Sequence, residues 1–243
     1  TQLYGYLVPH PGCCEVARKE VDYFSNHSER SVRWYRSRFP LAFRVARKRG
    51  QVMEASPSYL PTPSALRQMH QVLPKARVIV LLRDPVSRAF SHYQHRKTRH
   101  LESRSFADCV REEIRANEFP AQLGVALEPA AKPMLGYVSR GYYALQLELL
   151  LKVFPRNKVL VMDSAELFAD TAAACKRVFD FMGLDEFDIE LTKIYNRGYY
   201  KEKVDPQIAA QLREHYLPYD SLLGQVLDGS FSWFGGAKWK AAA

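Results

Sequence analysis

The sequence VIVLLRDPVSRAFSHY, residues 78–93, is the strongest guide to the fold of this chain. Val78 to Leu82 form a short unbroken apolar run, which is typical of a strand buried on both faces of a parallel sheet. Pro85 suits the first turn of a helix, where its missing N–H group leaves no hydrogen bond unmade. The stretch therefore predicts a strand followed directly by a helix. Arg83 falls at the carboxyl end of that strand, the edge at which open α/β sheets bind ligands.

Two side chains of this stretch are spaced to meet one anionic group. Arg83 comes from the strand end, and Ser91 lies two turns into the predicted helix. A planar guanidinium offers phosphate oxygens a fixed fork of N–H donors. The pattern predicts an anion site at Arg83 and Ser91. The alternative is a buried strand followed by an ordinary basic helix.

The segment RDPVSRAFSHY resembles the 3′-phosphate-binding segment of sulfotransferases that use 3′-phosphoadenosine 5′-phosphosulfate (PAPS). In that family, the arginine and serine of R-[DN]-P-x-x-R-x-x-S-x-Y hold the 3′-phosphate of the donor; here they are Arg83 and Ser91. The resemblance is to carbohydrate and heparan-sulfate-type members, closest in pattern to bacterial ones. It implies an α/β fold with a P-loop-like parallel sheet flanked by helices on both faces. It also implies one sulfotransferase domain over residues 1–234, with the first strand and most of the phosphosulfate loop expected upstream of Thr1. The composition of residues 235–243 indicates a disordered tail or a segment added in cloning.

Composition and charge narrow the class of protein. The chain has 243 residues, of which 47% are hydrophobic, enough for one large α/β domain with a substantial core. A net charge of +9 favours anionic ligands, but does not separate a nucleotide from a sulfated glycan, a nucleic acid or an acidic carrier protein. The sequence has no apolar run long enough for a membrane span, no RNA-binding signature and no zinc-finger spacing.

The cysteines indicate neither a disulfide framework nor a metal site. They are Cys13, Cys14, Cys109 and Cys175, without a Cys-x-x-Cys pair or a His/Cys cluster. This usage favours a reduced, cytoplasmic compartment. A Golgi-lumenal or membrane-anchored parent chain stays open, because we expect the natural chain to extend upstream of Thr1. No metal is expected for this chemistry.

The first residues resemble the helix that follows the phosphosulfate loop of the family. That helix has the pattern L-x-x-x-L-x-x-HP, matched here by Leu3, Leu7, His10 and Pro11. Thr1 would then be the last residue of the loop and would contact the donor. A loop of this kind is an anion nest at a helix N-terminus.

The segment Lys19-Glu20 resembles the K-E-x-x-[FY]-F segment of carbohydrate sulfotransferases. In the glycosaminoglycan members the glutamate is the general base, which implies that role for Glu20 and a substrate-binding role for Lys19. The family often has histidine two residues after the glutamate, where this chain has Asp22, and this difference weakens the carry-over of any second proton-shuttling role. The alternative is a surface ion pair at a strand edge.

The segment EASPSY, residues 54–59, resembles the family's E-[KA]-[ST]-P-x-Y pattern. Glu54 is the second candidate for a catalytic carboxylate, and Tyr59 a candidate for substrate binding. Glycosaminoglycan sulfotransferases usually have lysine where this chain has Ala55. The alternative role for Glu54 is to accept hydrogen bonds from nearby backbone N–H groups.

Two further segments resemble family motifs. SRGYYALQL, residues 139–147, resembles R-G-x-Y-x-x-Q-L, whose Tyr and Gln place the helix over the acceptor cleft. Tyr142 is the candidate for substrate binding there, and core or rim positions stay open for Tyr142, Tyr143 and Gln146. Arg197-Gly198, shortly before a V-D-P sequence, resembles a loop that folds over the donor nucleotide. Glycine lets the backbone approach the phosphates, and arginine neutralises their charge.

Elsewhere the patterns predict alternating strands and helices, with a C-cap at Gly183 and a loop over 118–133. Extended segments are expected at 18–24, 51–53 and 159–162. Helices are expected at 28–39, 63–73, 105–117, 141–154, 164–168, 171–182, 205–216 and 219–227.

The resemblance implies a sulfotransferase that moves the sulfuryl group of PAPS to a hydroxyl of a carbohydrate or glycosylated metabolite, leaving adenosine 3′,5′-bisphosphate. Its acceptor would be a small molecule or a glycan, with no nucleic acid partner. Sulfation of nitrogen, the acceptor's identity and the oligomeric state stay open. Two other functions compete. A kinase of related fold would need a Walker A loop and an aspartate for Mg²⁺, and a non-catalytic polyanion-binding module would show steep salt dependence.

Overall fold

The computed structural model describes residues 2–41, 45–46, 50–122, 136–189 and 202–234, with the backbone alone for 117–122. The described strands are β1 Cys13–Glu15, β2 Gln51–Met53, β3 Val78–Leu82 and β4 Val159–Asp163. The described α-helices are α1 Gln2–Leu7, α2 Tyr23–Asn26, α3 Val32–Arg36, α4 Pro63–Val72, α5 Pro85–Lys97, α6 Phe106–Gln122, α7 Tyr143–Val153, α8 Ser164–Ala169, α9 Thr171–Met182 and α10 Pro206–Leu227. Two 3₁₀ turns lie at Ser139–Gly141 and Arg156–Lys158.

The described strands form two pairs. β1 runs parallel to β2, with Cys14 opposite Val52, and β3 neighbours β4 in the second pair. Because β1 and β2 are parallel, a long crossover connection must join them, and helices usually supply such connections. The strands predicted at β2, β3 and β4 are present in the structure and are confirmed, whereas β1 was not expected from the sequence.

The chain divides into two compact units. The first unit is Thr1–Leu81 with Leu150–Arg197, and the second is Leu82–Leu149 with Gly198–Ala243. The single domain predicted over 1–234 stays a prediction.

The core of the first unit joins its strands to α1, α8 and α9. Met53 of β2 and Met162 of β4 pack in one cluster with Leu7, Val178 and Phe179. Each is at most 8% exposed. Burying one such side chain contributes roughly 1.5–3 kcal/mol relative to leaving it in water. This cluster holds the strands whose neighbouring segments carry the candidate carboxylates.

The core of the second unit joins α5, α6 and α10. Ala89 and Tyr93 of α5 pack with Val110 of α6 and with Leu212 and Tyr216 of α10. All five are at most 4% exposed. The buried face of α5 thus anchors the helix that follows Arg83.

The strand-to-helix transition at Arg83 follows the predicted pattern. The side chain of Asp84 caps α5 by accepting from the backbone N–H groups of Val86 at 3.3 Å and Ser87 at 3.2 Å. Pro85 occupies the first turn. At the end of α9, Gly183 has φ 71°, so the predicted C-cap is also confirmed.

Two predicted elements near the start of the chain differ from the structure. The extended segment expected at 18–24 is interrupted by left-handed residues at Glu20 and Asp22, and α2 begins at Tyr23. The helix expected from residue 28 begins later, because Ser31 caps α3 by accepting from Trp34 N–H at 3.2 Å.

The two helices expected after residue 205 are one helix, α10, with Pro218 inside it. Tyr216 before the proline and Leu223 after it are both at most 1% exposed, so packing on both sides favours continuity over the break that proline favours. The helix α6 extends to Gln122, into the segment expected as a loop, and residues 123–135 lie outside the described part of the chain.

Candidate active site

Arg83 is fixed through its backbone, whereas its side chain reaches the surface. It follows β3 directly, and its carbonyl accepts a hydrogen bond of 2.9 Å from the hydroxyl of the buried Tyr143. The side chain is exposed, and its guanidinium makes no hydrogen bond or ion pair with any residue that the structure describes. An arginine held this way can bind an external anion without first breaking an internal contact.

Ser91 lies half-buried on α5, six residues after Pro85. With a helical rise of 1.5 Å per residue, it stands about 9 Å along the axis from the helix start. Ser91 shares a face of α5 with Ser87, four residues earlier, whereas the side chains of Ala89 and Tyr93 pack in the core. The structure therefore places the predicted pair, Arg83 and Ser91, in one unit on a single strand-to-helix segment.

The second arginine of this segment has a different role. Arg88 donates through Nη2 to the carbonyl of Gly136 at 3.4 Å and to that of Tyr137. Its guanidinium therefore holds the chain that leads into the 3₁₀ turn at Ser139. Arg83, and not Arg88, is the arginine of this segment available to a ligand.

The chain that follows the predicted nucleotide loop is tied to α5. Glu202 Oε2 accepts from Gln94 Nε2 at 2.8 Å and from Lys97 Nζ at 3.4 Å. The hydrogen bond from Gln94, followed by the charge of Lys97, lowers the pKa of Glu202. Thr1, Arg197 and Gly198, the other residues predicted to contact the donor, lie outside the described residues.

Glu20 belongs to the first unit and sits in a turn of unusual backbone. Its carboxylate is 48% exposed and lies 3.3 Å from Lys19 Nζ. Glu20 has φ 60° and Asp22 has φ 51°, in the left-handed region that costs a residue with a side chain roughly 1–2 kcal/mol. The Glu20 carboxylate, predicted to be the general base, is therefore accessible to an acceptor. Its left-handed backbone must be held in place by the surrounding structure.

Glu54 accepts hydrogen bonds on both carboxylate oxygens. The hydroxyl of Tyr35 donates to Oε2 at 2.6 Å, while Tyr59 at 2.5 Å and Ser56 at 2.8 Å donate to Oε1. Burial and the adjacent carboxylate raise the pKa of both tyrosines. The sequence anticipated a carboxylate that accepts hydrogen bonds, but from backbone N–H groups instead of side-chain hydroxyls. A carboxylate with both oxygens engaged in this way is suited to positioning its neighbours, and a catalytic role for Glu54 stays a prediction.

The two tyrosines predicted to bind substrate are buried. Tyr59 is 8% exposed and packs edge-on against Phe24. Tyr142 is 1% exposed, lies 2.8 Å from His215 Nε2 through its hydroxyl, and stacks on Tyr219. Both positions favour a packing role, and contact with substrate stays a prediction.

The sequence does not indicate the partners of two residues at the site. Tyr143, which holds the Arg83 carbonyl, and Tyr35, which holds Glu54, meet their partners only through the fold. Ser56 and Tyr143 could have been noticed as candidates, because they lie inside the EASPSY and SRGYYALQL segments.

Residues 10–211 match the family model described as a sulfotransferase domain. The chain belongs to the sulfotransferase family. The predicted resemblance is thereby confirmed. The matched region contains the Lys19-Glu20, EASPSY and RDP segments.

Curated relatives of this sulfotransferase-family chain include enzymes of heparan sulfate. This chain is 28% identical over 255 residues to the human heparan sulfate glucosamine 3-O-sulfotransferase 6. That match covers 95% of this chain and 69% of the relative. The chain is 29% identical over 191 residues to the human bifunctional heparan sulfate N-deacetylase/N-sulfotransferase 3. That match covers 76% of this chain and only 21% of the length of the relative.

A solved structure confirms the predicted fold class. The crystal structure of a sulfotransferase from Alicyclobacillus acidocaldarius superposes with a TM-score of 0.70 at 25% identity, covering 96% of this chain and 92% of that one. Among the helices that the structure describes, none is both long and apolar enough to cross a membrane. Within the same residues, no three His, Cys, Asp or Glu side chains cluster as metal ligands would.

Proposed function

We propose that this chain transfers the sulfuryl group of PAPS to a hydroxyl of a carbohydrate or a glycosylated metabolite, and that adenosine 3′,5′-bisphosphate is released. The observation that carries the proposal is the exposed Arg83 guanidinium, engaged by no described residue, at the end of a strand and on the segment that matches the 3′-phosphate pattern. Membership of the sulfotransferase family and a net charge of +9 support it.

The donor's 3′-phosphate is proposed to bind Arg83 and Ser91. Their chemistry fits that group, since a guanidinium supplies charge-assisted N–H donors and a serine hydroxyl supplies one more. Thr1, Arg197 and Gly198 are proposed as further donor contacts. The attachment of Glu202 to Gln94 and Lys97 supports this, because it holds the chain just after Gly198 against the helix that carries Ser91.

Glu20 is proposed as the general base. Its carboxylate accepts the proton of the acceptor hydroxyl, which makes the acceptor oxygen a better nucleophile. Lys19, 3.3 Å from Glu20 Oε1, orients that carboxylate and adds positive charge beside an anionic acceptor. When bound, the donor supplies the sulfuryl group and a phosphate leaving group. Glu54, whose two oxygens are both engaged, is proposed to position its neighbours.

A carbohydrate acceptor is supported by the relatives, whose names include sulfotransferases of heparan sulfate. The surface of α3 offers a compatible aromatic group in the unit that contains Glu20. Trp34 is half-buried there, with the guanidinium of Arg38 4.3 Å and that of Arg30 5.7 Å from its ring. Sugars stack on aromatic rings, and arginines pair with acidic groups on a glycan. The relatives include both O- and N-sulfotransferases, and the proposal is for transfer to oxygen.

Calorimetry on the wild-type chain tests the function class. We expect adenosine 3′,5′-bisphosphate to bind with micromolar or tighter affinity, and ATP with Mg²⁺ to bind much more weakly. Preferential ATP binding would indicate a kinase. Binding of heparin oligosaccharides with steep salt dependence, without nucleotide binding, would indicate a polyanion module. Transfer of ³⁵S-sulfate from PAPS is then measured to O-desulfated heparin and to neutral glycosides. The expected product is an O-sulfate whose label survives the mild acid hydrolysis that removes N-sulfate.

A further inference from the structure

We infer that Ser56 is a positioning residue that holds the Glu20–Asp22 turn, so that the Glu20 carboxylate keeps its place during sulfuryl transfer. The inference rests on the proposed role of Glu20 as the base. It follows from the backbone of the turn and from a chain of hydrogen bonds that leads to it.

The Glu20–Asp22 turn has a backbone that its own residues disfavour. Glu20 and Asp22 have φ values of 60° and 51°, and the residue between them, Val21, is only 7% exposed. Residues with side chains keep left-handed dihedrals when the surrounding structure fixes them. Contacts from outside the turn must therefore supply that constraint.

Ser56 supplies the contact to the backbone of the turn. Its hydroxyl oxygen accepts from the N–H group of Asp22 at 3.0 Å, and its hydrogen is donated to Glu54 Oε1 at 2.8 Å. A serine hydroxyl has one hydrogen to give and lone pairs to accept, so both functions are used at once. Glu54 orients the hydroxyl of Ser56, and the oriented oxygen faces the Asp22 N–H group.

The carboxylate behind Ser56 is itself fixed. Tyr35 and Tyr59 donate to Glu54 at 2.6 Å and 2.5 Å, and these tyrosines are 3% and 8% exposed. Hydrogen bonds to a carboxylate are stronger than those between neutral groups. The constraint on the turn thus begins in the packed core and reaches Asp22 through Glu54 and Ser56.

Ser58 holds a different part of the same turn. It donates to the Asp22 side chain at Oδ1, and its hydroxyl lies 2.7 Å from that of Ser25. Ser58 therefore secures the side chain of Asp22, while Ser56 secures the backbone next to Glu20. Removal of the Ser56 hydroxyl leaves the Asp22 N–H group without this acceptor, and the turn can relax toward ordinary negative φ.

The test compares Ser56→Ala with Ser56→Thr, which keeps the hydroxyl, and with Ser37→Ala as a control. The hydroxyl of Ser37 donates at 2.7 Å to the carbonyl of Trp34 on an exposed part of the first unit. The readouts are kcat and KM for sulfuryl transfer from PAPS to the acceptor that the wild-type chain sulfates fastest. Hydrogen exchange of the peptide spanning 18–26 is followed by mass spectrometry and needs no acceptor.

We expect Ser56→Ala to lower kcat roughly tenfold or more, because small displacements of a catalytic group are costly, with KM for PAPS unchanged and faster exchange in 18–26. Ser56→Thr should restore kcat and slow exchange, and Ser37→Ala should match the wild type. Ser56→Cys, which keeps the size with weaker hydrogen bonding, should fall between them and replaces Ser56→Ala if that variant does not fold.

Wild-type kcat and exchange in Ser56→Ala, alongside an inactive Glu20→Gln variant, would overturn this inference and leave the proposed function standing. A fully active Glu20→Gln variant would instead overturn Glu20 as the base, and the role of Ser56 with it. Equal losses in Ser56→Ala and Ser56→Thr would also contradict the inference, because the hydroxyl would then not be what matters.

Discussion

The hydroxyl of Tyr143 donates a 2.9 Å hydrogen bond to the main-chain carbonyl of Arg83. Tyr143 is 5% exposed, and burial raises the pKa of its hydroxyl to about 12, so the donor proton is retained at neutral pH. The backbone of Arg83 is thus held by the first residue of α7, while the guanidinium faces solvent. A fixed backbone limits the ordering that the arginine must undergo when it binds an anion, because only the side chain remains to be ordered.

Tyr143→Phe should therefore weaken nucleotide binding without removing it. Loss of one hydrogen bond is expected to cost about 1 kcal/mol, or roughly fivefold in the dissociation constant for adenosine 3′,5′-bisphosphate measured by calorimetry. Tyr216→Phe is the matched control, because the Tyr216 hydroxyl donates at 2.8 Å to the carbonyl of Val138. Equal losses of affinity in the two variants would show that Tyr143 acts only through stability.

Glu20→Gln should nearly abolish sulfuryl transfer and leave donor binding close to normal. The amide cannot accept the acceptor's proton, and a general base typically contributes 10²–10⁴-fold, so we expect a fall in kcat of roughly that size. Glu29→Gln, at an exposed glutamate of the same unit that pairs with Arg30 at 3.4 Å, is the control. Most of the wild-type turnover in Glu20→Gln would mean that the base lies elsewhere.

Gly141→Ala should destabilise the second unit. A methyl group at Gly141 would lie 2.6 Å from the hydroxyl oxygen of Tyr216, which is 1% exposed and hydrogen-bonded to the Val138 carbonyl. Overpacking of this kind typically costs about 1–3 kcal/mol, visible as a lower midpoint in urea unfolding. At Gly229, the nearest atom to such a methyl would be 3.8 Å away, so Gly229→Ala should unfold like the wild type. Similar midpoints for the two variants would contradict the packing described at Gly141.

His92 should make the fold sensitive to acid. Burial first, and then the positive charges of Arg140, Arg88 and Arg96, lower the pKa of His92 to about 4. An unfolded chain has a histidine pKa near roughly 6.5, so between these values the unfolded state binds the additional proton. Stability contributed by neutral His92 is therefore present above about pH 6.5 and is lost as pH falls toward 4.

The variant His92→Gln should accordingly show a smaller fall in Tm between neutral pH and about pH 5 than the wild type. His95→Gln, at an exposed position on the same helix, is the control. An unchanged pH dependence in His92→Gln would rule out His92 as a source of acid sensitivity.

The parts of the fold that the sequence predicted are those with local causes. The β3–α5 segment combines an apolar run, a proline at the first turn and an aspartate cap, and each acts within a few residues. The same segment carries Arg83 and Ser91, and the anion site proposed there stays a prediction. β1 was missed because its three residues carry no periodicity, and it forms only by pairing with β2, 38 positions later in register.

The candidate site depends on longer-range contacts that no local pattern reports. Glu20 and Asp22 are left-handed although neither is glycine, and the constraint comes from Ser56, 34 residues after Asp22. Glu54 receives Tyr35 from 19 residues away. Pro218 predicted a helix end that packing on both sides of it overrides. Residue types in the site were therefore predictable, whereas their partners were not.

Calorimetric titration of Arg83→Ala with adenosine 3′,5′-bisphosphate tests whether Arg83 holds the 3′-phosphate. Removing a charge-assisted contact should weaken binding by at least ~2 kcal/mol, or roughly 30-fold, relative to the wild type. Arg99→Ala, which removes an exposed arginine just beyond the same helix, should bind as the wild type does. Wild-type affinity in Arg83→Ala would contradict the central claim that this guanidinium holds the nucleotide's 3′-phosphate.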